Sequence, residues 1–328
     1  MSNELILTPG GFRSKSLVHL IESGHMLRMT DNHIQKVHSS GKVLIDFGEI
    51  NRRPGNEPLM PSNVNIGPKN IPSFGSGWIT YAYWNNNTGT PISSFTTSWI
   101  VPPLPSTQSG QTIFFFNGIQ NSTYIYQPVL QWGQSAAGGG DYWSVASWYV
   151  DSSTGPAFHS SLVRVNPGDT LIGIMTLSSQ NGASFNYNCV FQGITDSSLP
   201  VQNIQELTWC AETLEAYGIT NCLDYPSISK TVMSTINIQT GNTHPNIAWT
   251  PNNSVTDCGQ HTVVVSNSAS AGEVDLFYHY LNSSGLWISW KGDGNDNLNV
   301  MDIFNPSSKI ISNETSPTSP AITAFNNS

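Results

Sequence analysis

Between Trp78 and Tyr280 the chain is a succession of short runs rich in β-branched and aromatic residues, each closed by a turn signal. Trp78-Ile79-Thr80-Tyr81-Ala82-Tyr83-Trp84 is one, and residues 94–101 form a second that stops at Pro102-Pro103. Thr112-Ile113-Phe114-Phe115-Phe116 is a continuous apolar run of the kind that sheets bury on both faces. Residues 160–165, 170–177, 185–192, 231–238, 261–266 and 274–280 continue the style. Helical periodicity is nearly absent, and only residues 205–217 can be mistaken for a helix. Strands this short bury their apolar faces by pairing into sheets and stacking them. The pattern predicts an all-β fold, an antiparallel β-sandwich.

Residues 1–50 add a small N-terminal β-rich head. Ser16 to Glu22, Ile34 to Val37 and Lys42 to Phe47 are short β-like runs between Gly and Asn/Ser turns. Residues 51–76, rich in Pro, Asn, Gly and Ser, read as a linker. The sandwich domain is expected over 77–310, with a flexible tail over 311–328. The charge divides at the same boundary. Residues 1–70 hold 8 of the 12 Lys/Arg and 6 of the 21 Asp/Glu, a net of +2, whereas the remainder carries −11. A mildly basic head on an acidic body suggests a propeptide that leaves as carboxylates protonate.

Charge also narrows the partners. A net of −9 argues against a nucleic-acid footprint, and no run of about 18 apolar residues spans a membrane. Only 10% of residues are charged, as suits a surface that does not depend on ionised carboxylates. Glycosylation-type sequons stand at Asn86, Asn121, Asn252, Asn282, Asn313 and Asn326; in an Asn/Ser/Thr-rich chain several arise by chance, so they decide little, and secretion is an expectation only. The N-terminus lacks a signal-peptide pattern, which leaves a cytosolic location open. Cys189, Cys210, Cys222 and Cys258 have no Cys-x-x-Cys spacing, so two disulfides and four buried thiols both remain open.

Chemistry centres on Gln127-Pro128-Val129-Leu130-Gln131-Trp132-Gly133 and the aromatic run 142–149 behind it. With Gly138-Gly139-Gly140 as a flexible tip, these read as a hairpin laying an amide on an aromatic floor. The eight histidines form no zinc signature, and there is no Gly-x-Ser-x-Gly elbow or phosphate loop. No metal or cofactor is expected. Carboxylates are scarce in the body, so Glu212 and Glu215 in the apolar segment 207–218 stand out. On a strand their odd separation puts them on opposite faces, and only one can share a cleft with Gln131.

Several landmarks occur in order: Trp99-Ile100-Val101-Pro102, Phe116-Asn117-Gly118-Ile119-Gln120, Val129-Leu130-Gln131-Trp132-Gly133, Trp148-Tyr149, residues 166–171, and Ala211-Glu212-Thr213-Leu214-Glu215. Together, over roughly residues 95–220, they resemble the eqolisin family of glutamic peptidases. That resemblance implies a β-sandwich, a polypeptide substrate and a glutamine/glutamate pair that activates water at acidic pH. Gln131 matches the catalytic glutamine. The glutamate is Glu215 or Glu212, with Glu215 preferred because Leu214-Glu215 resembles the family's aliphatic-Glu pair. Trp99, Trp132, Trp143, Trp148 and Tyr149 are the expected substrate-binding walls. The alternative is a carbohydrate-binding, lectin-like sandwich that takes a glycan on exposed Trp and Tyr rings; a third is a purely structural relative.

Overall fold

A computed structural model describes residues 4–50, 77–152, 155–281, 287–291 and 300–304. The expected linker at 51–76 and tail at 311–328 lie outside the described residues. The head supplies β1 (Leu5–Thr8), β2 (Gly11–Ser14), β3 (Val18–Leu20), β4 (His25–Thr30), β5 (His33–His38) and β6 (Val43–Glu49). The body begins with β7 (Gly77–Asn85), β8 (Ile92–Ile100), β9 (Thr112–Gln120), β10 (Tyr124–Ser135) and β11 (Gly138–Asp151). It continues with β12 (Ala157–His159), β13 (Val163–Arg164), β14 (Thr170–Asn181), β15 (Ser184–Phe191), β16 (Ile194–Ile204) and β17 (Trp209–Tyr217). Then come β18 (Lys230–Thr240), β19 (Thr250–Asn253), β20 (His261–Ser266) and β21 (Gly272–Phe277). Strands β22 (Tyr280–Leu281), β23 (Trp287–Lys291) and β24 (Val300–Phe304) form a small separate sheet. There is no α-helix among the described residues, and the helix-like segment 205–217 is the strand β17.

Two large sheets make the sandwich. The first runs β19-β7-β17-β9-β10-β11-β12-β3, with β13 beside β11; the second runs β20-β21-β18-β8-β14-β15-β16-β4-β5-β6. The fold is thus the all-β sandwich with a β-rich head. The head extends both sheets: β3 pairs with β12 and β4 with β16, the only parallel pairings among the described strands. Every other pairing is antiparallel, as short hairpin connections require.

Alternation along β9 explains the layering. Phe115 points into the inter-sheet core with Leu130, Trp132, Trp143 and Tyr149, while Phe114 and Phe116 point the other way, with Trp78, Val129 and Trp148. All nine residues of β9 are buried, as the run of apolar residues predicts for a strand covered on both faces. What covers the outer face is the β1–β2 hairpin, which puts Leu7 into that second apolar cluster. Ala136 N–H donates to the Leu7 carbonyl at 2.7 Å, tying β1 to the β10–β11 turn.

The cysteines follow neither expectation. Cys222 and Cys258 form one disulfide, and Cys189 and Cys210 are buried thiols. The bond closes a loop across 36 residues of sequence. Replacing both cysteines by serine should therefore lower unfolding free energy by about 2–4 kcal/mol in a denaturant titration. No loss would show that the surrounding packing already confines this loop.

Candidate active site

Strand pairing places Glu215 opposite Phe114, and Phe114 opposite Gln131. The three lie in one row across β17, β9 and β10, on the outer face. Two strand spacings put the Gln131 and Glu215 backbones ~10 Å apart, with the Phe114 ring between them. Glu212, three residues earlier, points to the opposite face. Of the two sequence candidates only Glu215 shares a face with Gln131, and the two are not in contact in this arrangement.

Gln131 is held by its own hairpin. Its Nε2 donates to the carbonyls of Gly133 at 2.9 Å and Gly138 at 2.8 Å, and Ser135 Oγ donates to its Oε1 at 2.7 Å. The β10–β11 register shifts between Trp132 and Gly133, and glycine is required on both sides of this bulge. A Cβ on Gly133 would sit 2.2 Å from the Gln111 carbonyl, and one on Gly139 would sit 2.4 Å from Gln131 Nε2. The triple glycine is therefore not a flexible tip. Gly138, Gly139 and Gly140 are paired strand residues that let the amide approach the backbone.

Glu215 is buried, and the head supplies part of its shell. Its Oε1 accepts from Tyr217 Oη at 2.5 Å and from Gly10 N–H at 2.7 Å, while Oε2 is buried without a hydrogen-bond partner. Burial pushes its pKa up to about 7; the Tyr217 and Gly10 bonds, the Arg13 charge and the Trp78 side chain only partly offset this. Gly10 has φ +89° and Gly11 φ +104°, left-handed conformations that favour glycine and turn the chain back directly over the carboxylate. Arg13 is buried as well. Its guanidinium donates to the Gly155 carbonyl at 2.7 Å, the Asp151 carbonyl at 3.4 Å and Thr8 Oγ1 at 2.8 Å. A narrow cavity beside the turn is lined by Gly10, Trp78, Gln120, Gln127 and Asp151. Gln120 Nε2 and Gln127 Oε1 are both buried without partners.

Glu212 serves the core. Thr97 Oγ1, from the facing sheet, donates to its Oε1 at 2.5 Å, and burial raises its pKa well above the usual carboxylate range. Its Oε2 and the Oδ1 of Asn117, directly opposite on β9, are both buried acceptors without donors. A proton on Glu212 gives Oε2 a hydrogen to share with its neighbour, so the residue belongs in its neutral form.

The aromatic walls are corrected by burial. Trp99, Trp132, Trp143 and Tyr149 are core residues between the sheets, at most 2% exposed. Of the five, only Trp148 lies on the Gln131 face, where it too is fully buried. Large rings on alternate positions were needed to fill the sandwich. No Trp is exposed among the described residues whose burial is defined. Of the sequons, Asn86 and Asn121 are buried with their amides bonded to the Thr90 and Glu206 carbonyls, whereas Asn252 is exposed. Sequence reasoning missed Gly10, Arg13 and Tyr217. Tyr217 was accessible, being two residues past Glu215 on a strand and hence on the same face.

No known family profile and no curated protein matches the sequence. Among solved structures, the chain is distantly similar to Scytalido-glutamic peptidase bound to a peptide-based transition-state analogue. The identity is 13%, the match covers 60% of this chain and 97% of that one, and the TM-score is 0.38. A second structure of that enzyme, with a transition-state analogue inhibitor, gives 15% identity, 62% and 98% coverage, and a TM-score of 0.38. SCP-B, a member of the eqolisin family of peptidases in complex with the tripeptide Ala-Ile-His, gives 12%, 62%, 98% and 0.34. Likeness at this distance assigns no residue of this chain.

Two outcomes follow from the carboxyl groups. Both folded pKa values are raised, so their contribution to stability is full below the unfolded carboxylate pKa and is lost as pH rises, for Glu215 through about pH 7. Glu212→Gln, which stays neutral, should leave the melting temperature unchanged at pH 4 and stabilise by about 1–3 kcal/mol at pH 8. Equal melting curves at pH 8 would refute a buried neutral Glu212. Tyr217→Phe removes a hydrogen bond that favours ionised Glu215, and should raise its proton affinity about tenfold. Infrared titration of the carboxyl stretch, with Glu215→Gln to assign the band, reads this directly, and an unmoved titration would contradict the assigned bond.

Proposed function

We propose that this chain is a latent, acid-acting glutamic endopeptidase in which Gln131 and Glu215 form the working pair and residues 5–14 cover them. The observation that supports it most is the shared outer face. A buried carboxyl with a raised pKa stands in the same sheet row as the only glutamine of the Leu-Gln-x-Gly pattern. The cover over that face is a polypeptide segment of the chain itself. The substrate is accordingly polypeptide, the N-terminal head acts as a propeptide, and secretion into an acidic medium is the matching location.

Once the hairpin leaves, water solvates Glu215 and removes the main cause of its raised pKa, so the ionised fraction grows at acidic pH. The carboxylate then takes a proton from a water whose oxygen bonds to the peptide carbonyl carbon. It returns that proton to the amine as the C–N bond breaks. A Gln131 amide hydrogen bonds the developing oxyanion without adding charge. This requires the amide to give up its bond to Gly133 or Gly138, and the Phe114 ring to move from between the pair.

One observation favours a second reading. All the bonding of the Gln131 amide is satisfied inside its hairpin, as in a strut of a non-catalytic sandwich. Digestion of a denatured protein between pH 3 and pH 7 separates the two. Under the proposal wild type cleaves after a lag, Glu215→Gln loses at least about 10³-fold, Gln131→Ala about 10²-fold, and Glu212→Gln keeps near wild-type rates. Failure of wild type to cleave over prolonged incubation, or unchanged rates in Gln131→Ala and Glu215→Gln, leaves the strut reading.

A further inference from the structure

The head is fastened to the body at the first sheet by a short strip. Strand β3 contributes three residues paired in parallel to β12: Val18 with Ala157, His19 with Phe158 and Leu20 with His159. One further backbone bond continues the strip, from Ile21 N–H to the His159 carbonyl at 2.8 Å. A histidine clamps each side of this strip. His19 lies against Phe47 of β6 and Phe158 of β12, with ring centroids 4.3 and 5.5 Å away. His159 lies against Trp148 at 4.8 Å, and its Nδ1–H is placed to donate to the Ser160 carbonyl at 2.8 Å. His159 is 7% exposed. Directly upstream of β3, through the short 3₁₀ turn Lys15–Leu17, is the hairpin that covers Glu215.

We infer that His19 and His159 form an acid-sensitive latch: charging the two rings loosens β3 from β12 and lifts residues 5–20 off the Gln131/Glu215 face, while β4–β6 stay paired to the second sheet. The inference rests on the reading of that face as the site to be uncovered.

The electrostatics of the strip agree. Burial holds both imidazoles below their ordinary pKa, Lys36 adds to this at His19, and His19 adds to it at His159, where the Ser160 carbonyl opposes. Lys36, which faces His19 from β5, is itself paired to Glu22 and donates to the Leu20 carbonyl at 3.3 Å. No carboxylate is among the groups acting on either ring. A stack on an aromatic face does not replace the water a buried imidazolium gives up. The sign follows: with folded pKa values depressed, the strip is intact above about pH 6.5 and loses stability as pH falls below it. Two other groups face the cover. Glu215 takes up its proton over the same range and, because the cover raises its pKa, this favours the closed state and opposes the latch even as its bond to Gly10 weakens. Arg13 is attracted to Asp151, and its guanidinium donates hydrogen bonds to carbonyl and hydroxyl oxygens.

Hydrogen exchange of the full chain, followed on peptides from 5–21 and 25–38 and corrected for intrinsic rates, tests the latch. In wild type, protection of 5–21 should fall at least tenfold relative to 25–38 between pH 7 and pH 4. His19→Phe/His159→Asn, which keeps a stack and an amide donor, should reduce that fall below twofold while leaving Glu215 free to titrate. Equal opening in wild type and the double variant overturns the latch, as does wild type that stays closed at pH 4. If the double variant melts early at pH 7, His19→Phe alone should still shrink the fall at least threefold, and an unchanged fall refutes the idea. Digestion of a denatured protein is read in parallel. Opening without cleavage removes the peptidase reading and leaves the latch, whereas cleavage without opening removes the latch alone.

Discussion

The outer face of the first sheet carries Trp78, Phe114, Phe116, Val129 and Trp148, and among the described residues the second large sheet packs on the other side. Rings of that size left in water would each forgo roughly 1.5–3 kcal/mol of burial, so the sandwich needs a cover on this side. The cover is not a layer of the body but ten residues from the chain's beginning. Leu7 supplies the apolar contact, Arg13 reaches one backbone carbonyl at the end of β11 and one just after it, and the Gly10-Gly11 turn lies over a buried carboxyl. The raised proton affinity of Glu215 depends on that same cover, since burial is its main cause.

Strand parity decides how the two glutamates divide. Three positions apart on a strand regularly paired to β9, Glu212 and Glu215 must face opposite sides. The inner side is a sealed core where a carboxyl is best kept neutral between Thr97 and Asn117. The outer side borders a segment that the body does not need for its own sheet pairing. The same chemical group thus becomes a fixed structural acid in one place and a group whose environment changes with the cover in the other.

The sandwich was legible because turn signals and β-rich runs are local properties, and the buried-both-sides character of β9 followed from the absence of polar residues between Ile113 and Phe116. The parity of Glu212 and Glu215 was legible for the same reason. Less local facts were not. Trp132 and Trp143 look like a binding floor when read along the chain, but side-chain direction sends them between the sheets. Gly138-Gly139-Gly140 looks like slack, while the need for glycine comes from a bulge that brings the Gly133 carbonyl and Gln131 amide against that backbone. The role of Gly10 depends on a contact 205 residues away in sequence, which no spacing rule encodes.

The charge asymmetry between head and body suggested an electrostatic fastening that dissolves as carboxylates protonate. The contacts point elsewhere. Lys15 pairs with Glu4, Lys36 with Glu22, and His33 with Asp46, all inside the head, so the head's net charge is largely engaged before it meets the body. The Arg13 guanidinium, buried at the junction, is held by carbonyl oxygens, whose acceptance does not change with pH. Those bonds persist as body carboxylates protonate, whereas the attraction of Asp151 and Glu215 for the guanidinium does not. The groups that do change character in mild acid at the junction are the half-buried imidazole of His19, the buried one of His159 and the carboxyl beneath the turn. For the imidazoles, acid adds charge where water is excluded at His159 and partly excluded at His19; for the carboxyl, it removes the charge that strengthens the bond to Gly10. The two oppose each other: charging the imidazoles disfavours the closed arrangement, whereas Glu215, whose pKa is raised by the cover, binds its proton more tightly when closed, so opening in mild acid must come from the imidazoles.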